Sequence, residues 1–369
     1  MKKIEYFIPQ MAPVFGVEEK DALASYMEEG GYLTEYKRTE LFEAQIAEYT
    51  KSKHCIVVNN GTISLTLAAL ALGLNYGDEV IVPNYTMIGT PNSVKLIGCT
   101  PIFVDVESTT LCIDIELIKK AITKKTKAVM MVSPNGRYPS YDVGLLKSYL
   151  EELGIALIED AAQSMGSQFP DGSHIGTKGA IGSFSFSAPK IISTGQGGAL
   201  ITNDDHLAYR LRRLKDFGRA QGGIDTHDTI GFNFKFTELQ ACIGIEQFKK
   251  LDYRVTRKKE IWQRYKKNLE GTSEVTLFEH NLTYTTPSFV DSMVEDRECL
   301  INHLMKFNVG SRKMYPPINH QKAYMVNGCH SVSERIGKTG LWLPSSVGLS
   351  DDEVDYICSI IKDFYRSCY

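Results

Sequence analysis

Lys190 sits in SFSFSAPKIISTGQGGALITND, Ser183 to Asp204, between two strand-like runs and inside a loop of Ser, Thr and Gly. A lysine amine becomes useful when burial lowers its pKa, because the neutral amine condenses with an aldehyde. Thirty positions earlier (190 − 160), Asp160 and its neighbour Glu159 end the apolar run IALIED. A carboxylate there needs a cationic partner, and a protonated heterocycle is one. Gln163, about one turn on, has an amide that can donate to an oxygen of the same ligand. A third corner, VVNNGTISL, stops a strand and opens a helix at Gly61 and Thr62. Free N–H groups and the helix dipole suit a phosphate there. Taken singly, each feature has an ordinary explanation: Thr62 as a helix N-cap, the acids as a cap or salt bridge, Lys190 as a solvated charge.

Together they are more specific. Phosphate corner, acid at a strand end, then lysine in a Ser/Gly loop is the order expected of an enzyme that holds pyridoxal 5′-phosphate. Asp160 would keep the pyridine nitrogen protonated, making the ring an electron sink. Lys190 would hold the aldehyde and then act as general base and acid.

These residues need a rigid frame. From Cys55 to about Asp204, CIVVN, EVIVPN, TPIFVDV, KAVMMVS and IALIED read as buried strands, and the amphipathic segments between them read as helices. That alternation predicts a mostly parallel sheet covered on both faces, with ligands at the carboxyl ends of the strands. SFSFS and GGALITND lie too close for a crossover helix, so they are expected as neighbours with an antiparallel pairing. A loop is expected from about Gly222 to Phe236, followed by a long helical stretch broken near Leu251. Asp351, Asp352 and Glu353 suit the start of a final helix. We place a boundary at Lys250: a large domain over residues 1–250 and a smaller C-terminal α/β domain over 251–369. At 369 residues and 43% hydrophobic, the chain can fill both cores.

A net charge of −3 argues against a nucleic-acid partner bound through a basic face. The apolar runs are too short to span a membrane, and MKKIEYFIPQMAP does not read as a signal peptide. The 8 cysteines contain no CxxC pair, so no metal site or disulfide framework is expected, and a cytoplasmic location fits. GTKGAIG lacks the GxGxxG spacing and strand–helix setting of a nicotinamide site.

The motifs NNGTISL, EDAAQS, SFSFSAPK, TGQGGALITND and FNFKFTELQA resemble the DegT/DnrJ/EryC1/StrS aminotransferases, which act on nucleotide-linked keto-sugars. The resemblance runs over nearly the whole chain, to WLPSSVGLSDDEVDYI. It implies a fold type I transferase whose large domain carries a seven-stranded sheet, and a homodimer with shared active sites. It makes Lys190 the Schiff-base lysine, Asp160 the pyridinium partner and Gln163 the neighbour of the cofactor hydroxyl. Gly61, Thr62 and Ser185 fall in the phosphate motifs, with Ser187 equally close to the lysine. Asn233 matches an asparagine that reaches the partner subunit's cofactor. SRKMYPPINHQKAY nominates Arg312, Tyr315 and His320 for the nucleotide-sugar. Met87 stands where the family usually stacks an aromatic on the ring, leaving either Met87 or Tyr85 for that contact. Gln196 replaces a frequent Glu, and Ser133 and Pro134 replace a histidine-containing strand end.

The resemblance further implies amino transfer from L-glutamate, through pyridoxamine 5′-phosphate, to C4 of a 4-keto-6-deoxyhexose, as in perosamine- and viosamine-forming members. It favours a UDP- or dTDP-linked sugar of the gluco series, with a GDP-linked sugar as the alternative. A keto-sugar 3-aminotransferase and a non-catalytic regulator that binds the cofactor are the other readings. A 3-dehydratase would carry histidine at the position of Lys190.

Overall fold

Apolar runs of four to six residues with β-branched side chains form strands that are buried on both faces. In the computed structural model, which describes residues 4–221, 224–227 and 229–368, seven such strands make one sheet. They are β1 (His54–Val58), β2 (Glu79–Pro83), β3 (Thr100–Val104), β4 (Thr126–Val132), β5 (Ala156–Asp160), β6 (Ile181–Ser185) and β7 (Gly198–Thr202), in the order β1-β7-β6-β5-β4-β2-β3. The pairs β3–β2–β4–β5–β6 are parallel. β7 runs antiparallel to both β6 and β1, as the short link after SFSFS requires. The fold is therefore α/β, with the mostly parallel sheet expected.

Successive side chains of a strand point to opposite faces. Val57, Ile81, Met131 and Leu157 join one core with Phe42 and Ile46 of α2 (Lys37–Thr50). Ile56, Val80, Met130 and Ile158 join the other, against α3 (Gly61–Ala71). Two helices, α1 (Val17–Glu29) and α2, precede the first strand, beyond the strand–helix alternation expected from Cys55 onward. Between the strands lie α4 (Gly89–Lys95), α5 (Ile115–Ala121) and α6 (Val143–Glu152), with α7 (Asp205–Lys215) after β7. Gly222, Gly223 and Asp228, in the expected loop, lie outside the described residues, as do residues 1–3 and 369.

The long helical stretch breaks at Lys250, separating α8 (Glu238–Lys249) from α9 (Leu251–Asn268). A second, antiparallel sheet follows, ordered β10-β11-β9-β8, from β8 (Val275–Leu277), β9 (Val290–Val294), β10 (Arg312–Lys313) and β11 (Gly340–Leu343). With α9, α10 (Arg297–Lys306) and α12 (Asp351–Cys368) it surrounds a separate core that includes Trp262, Tyr265, Leu304 and Ile361, while α11 (Ser331–Thr339) packs through Ile336 against Met314 and Trp342. Ile8 bridges to Val309 and packs into this second core.

Candidate active site

The end of β5 sends its two acids to opposite sides. Glu159 is fully buried and accepts N–H bonds from Gly176 (2.9 Å), Lys178 (2.6 Å) and Gly179 (2.5 Å). It holds the loop before β6, and burial raises its pKa against those three donors. Asp160 faces a cavity lined also by Gln163, Lys190 and Tyr315. Its Oδ2 accepts from the Thr90 hydroxyl at 2.8 Å and its Oδ1 from the Ala162 N–H at 3.2 Å. Burial pushes the Asp160 pKa up, opposed by these bonds and by the charge of Lys190.

Lys190 lines the same cavity. Burial lowers its pKa to about 8, with the Asp160 carboxylate acting in the opposite direction. Its loop is pinned: Ile191 and Ile192 are buried in the core, and the Arg254 guanidinium donates to the Ile191 carbonyl at 2.8 Å. The Lys190 N–H closes a turn onto the Ser187 carbonyl at 3.0 Å.

At the phosphate corner the cap is Asn60 rather than Thr62: its side-chain oxygen accepts from the Ile63 N–H at 2.9 Å. The first turn of a helix leaves the Gly61 and Thr62 N–H groups without intrahelical acceptors. A Cβ on Gly61 would lie 2.8 Å from the Ser185 Cβ, and one on Gly89 would lie 2.8 Å from the Thr62 hydroxyl. Gly61, Thr62 and Ser185 therefore converge, and the Ser185 and Ser187 hydroxyls are 3.3 Å apart.

The C-terminal sheet supplies the far wall. Tyr315 packs edge-on against Trp342, with centroids 4.7 Å apart, and lies 6.1 Å from Tyr85. Burial raises the Tyr315 hydroxyl to about 12, despite the Arg312 charge and a hydrogen bond with Gln163. Met87 and Tyr85 both line the cavity, Met87 half-exposed and Tyr85 buried. Six nominated residues do not line it: Gly61, Thr62 and Ser185 at the corner just described, and Arg312, His320 and Asn233. Arg312 is exposed with its guanidinium 5.5 Å from the Trp342 ring, His320 sits 3.7 Å from Glu334, and Asn233 is exposed beside Asp216.

Other groups escaped the sequence reading. Thr90 touches Asp160 from 70 positions away. The Asn135 N–H donates to Gln163 Oε1 at 2.7 Å, which leaves the Gln163 NH2 as the donor toward a ligand. Asn135 adopts φ 57°, and the Asn-Gly pair in SPNGR was the local signal for it. The Asn135 side chain also clamps Phe289, accepting from its N–H at 2.6 Å and donating to its carbonyl at 2.9 Å. Asn84 and Asn319 exchange hydrogen bonds at 2.9 Å, and Asp105 caps α11 through the Val332 and Ser333 N–H groups. These clamps seat the segment carrying Tyr315 over the strand ends.

The residues fit pyridoxal 5′-phosphate. A buried acid lacks a permanent cation, a corner is kept clear of side chains by glycine, and the buried Ser133 hydroxyl, lining the cavity, has no hydrogen-bond partner among the described residues. Sheet, lysine loop and acid together define a pyridoxal-phosphate-dependent transferase of the α/β type.

The chain belongs to the DegT/DnrJ/EryC1/StrS aminotransferase family, whose model matches residues 14–362. It is 35% identical over 362 residues to a GDP-perosamine synthase of Escherichia coli O157:H7, covering 97% of this chain and 99% of that one. It is 33% identical over 367 residues to a GDP-perosamine synthase of Vibrio cholerae, covering 97% and 99%. Among solved structures, S. venezuelae DesV in complex with a ketimine intermediate is 30% identical with TM-score 0.88, covering 94% of each chain. The aminotransferase TlmJ of Streptoalloteichus hindustanus is 29% identical with TM-score 0.91, covering 98% and 99%. The chain is thus a sugar aminotransferase that uses pyridoxal phosphate. Among the described residues, no helix is long and apolar enough to cross a membrane.

Proposed function

We propose that the protein transfers an amino group from L-glutamate to C4 of a GDP-linked 4-keto-6-deoxyhexose, giving the nucleotide-linked 4-amino-4,6-dideoxy sugar. The observation that carries the chemistry is one cavity holding Lys190, whose pKa falls to about 8, and the buried Asp160. The nucleotide rests on similarity: both perosamine-forming relatives are named for GDP-linked sugars, so the uridine or thymidine expected from the sequence takes second place.

Pyridoxal phosphate, when bound, would supply the electron sink that lets a proton leave and return to the carbons flanking the transferred nitrogen. Asp160 would hold a proton on the ring nitrogen, its carboxylate fixed by Thr90 and the Ala162 N–H. Gln163 presents its NH2 to the ring oxygen, because Asn135 occupies its carbonyl. The Gly61 and Thr62 N–H groups, with Ser185, bind the phosphate. Lys190 would hold the cofactor's aldehyde and would serve as the base and acid that moves the proton at the reacting carbon. Met87 or Tyr85, which both line the cavity, would pack on the ring. Tyr315 closes the pocket, and Arg312 and His320 would meet the nucleotide end. Asn233 lies outside its own chain's cavity, in keeping with a homodimer in which it serves the partner subunit's site. We keep the domain boundary at Lys250, where the helix breaks. Buried, unpaired thiols such as Cys55 and Cys112 suit the cytoplasm.

The test follows the cofactor's visible absorption. Glutamate should bleach it, and a GDP-linked 4-keto-6-deoxyhexose should restore it faster than the UDP- or dTDP-linked sugars. Lys190→Ala should abolish turnover, and retained turnover would refute the assignment.

A further inference from the structure

Directly opposed residues on neighbouring strands share a face. In the C-terminal sheet, Asp291 of β9 and Arg312 of β10 both stand opposite Trp342 of β11. One face therefore carries a row of acid, aromatic and cation. Strand spacing sets its two ends about 10 Å apart. Arg312 is the exposed end, whereas Asp291 and Trp342 line the cavity that holds Lys190.

Asp291 is 1% exposed and is held by a guanidinium that is itself buried. Arg137 Nη1 donates to Asp291 Oδ1 at 3.2 Å, and Nη2 donates to Oδ2. Arg137 is spent elsewhere too: its Nε donates to the Thr110 carbonyl at 3.0 Å, and its Nη1 to His280 Nε2 at 2.9 Å. A carboxylate offers about four acceptor positions. Arg137 takes two, which leaves two for a group that reaches Asp291 from the cavity it lines. The pair is neutral overall, so this wall accepts hydrogen bonds without presenting net charge. It suits a neutral hydroxyl. It does not attract an ammonium, and it offers nothing to the carboxylates of an amino donor.

We propose that Asp291, fixed by Arg137, is a specificity-determining residue that accepts a hydrogen bond from a ring hydroxyl of the acceptor sugar. Arg312, at the other end of the row, faces the sugar's diphosphate. The inference rests on the nucleotide-sugar reading above and adds to it a contact with the sugar ring.

The experiment separates the two half-reactions. Holoenzyme is mixed with glutamate. The pyridoxamine-loaded protein is mixed with a nucleotide-linked 4-keto-6-deoxyhexose and with its 2-deoxy and 3-deoxy analogues. Asp291→Asn should slow the sugar half-reaction roughly 10- to 100-fold, the range for a hydrogen bond to a charged group, with the glutamate half-reaction within about twofold of the parent. One deoxy analogue should react poorly with the parent and equally poorly with the variant. Binding of GDP alone should not change. Because Asp291→Asn leaves Arg137 without its counter-charge, Arg137→Met with Asp291→Leu provides a variant with no buried charge, and it should show the same split. Equal loss in both half-reactions would overturn the proposal, as would sugar kinetics at the parental rate in both variants. If the parent itself failed to respond to glutamate, the transaminase reading would fall and this inference with it.

Discussion

The pKa of Lys190 yields the sharpest expectation. Burial moves it from 10.5 to about 8. At pH 7 roughly one amine in eleven is then neutral, against about one in three thousand for an ordinary lysine, a gain of about 300-fold in the reactive form. Protein freed of cofactor and mixed rapidly with pyridoxal phosphate should develop visible absorption at a rate that rises about tenfold per pH unit and levels off above about pH 8. Asp160 raises the Lys190 pKa, so Asp160→Asn removes the opposing charge and the plateau should begin at a lower pH. Lys190→Ala controls for other amines and should give no such phase. A rate still climbing at pH 10 would mean that Lys190 is solvated, and the burial argument would fail.

Three further expectations concern the frame. Gly61→Ala places a Cβ 2.8 Å from the Ser185 Cβ, so stability should drop by about 1–3 kcal/mol and cofactor affinity should weaken; denaturant melts and cofactor titration would detect both, and an unchanged dissociation constant would place the phosphate elsewhere. Glu159→Gln turns an amide toward three N–H donors and should destabilise the fold by about 1–3 kcal/mol while leaving the spectrum of the bound cofactor intact, whereas Asp160→Asn should alter that spectrum. His280 is buried and neutral, its pKa pushed well below 6.5 by desolvation and by Arg137. The unfolded chain therefore binds the extra proton first, and this contribution to stability is present above pH 6.5 and lost as pH falls. His280→Gln should flatten the stability profile between pH 5 and 7 relative to the parent; parallel profiles would count against a buried neutral ring.

Much of the large sheet was legible because its signal is local. A run such as IALIED declares a buried strand within six residues, and the short link after SFSFS dictated an antiparallel β7. Residues 17–50 were not assigned, although they form two helices: their apolar positions are sparse, and only packing against the sheet through Phe42 and Ile46 makes α2 part of the core. The cap at the phosphate corner moved from Thr62 to Asn60 because backbone geometry decides which side chain reaches the Ile63 N–H.

By itself the sequence determined the order of chemical groups along the chain: a glycine corner at Gly61, an acid at Asp160, an amine at Lys190. Each is marked by its own neighbours, since strand ends and tight loops have local composition. Only the tertiary structure decided that Glu159 would hold a loop while Asp160 faces the cavity, because that choice depends on the face of β5 to which each side chain turns. It alone brought Thr90 to Asp160 and Arg137 to Asp291 across 154 positions. A buried charge takes whatever partner the packed chain delivers, and separation along the sequence carries no trace of that meeting.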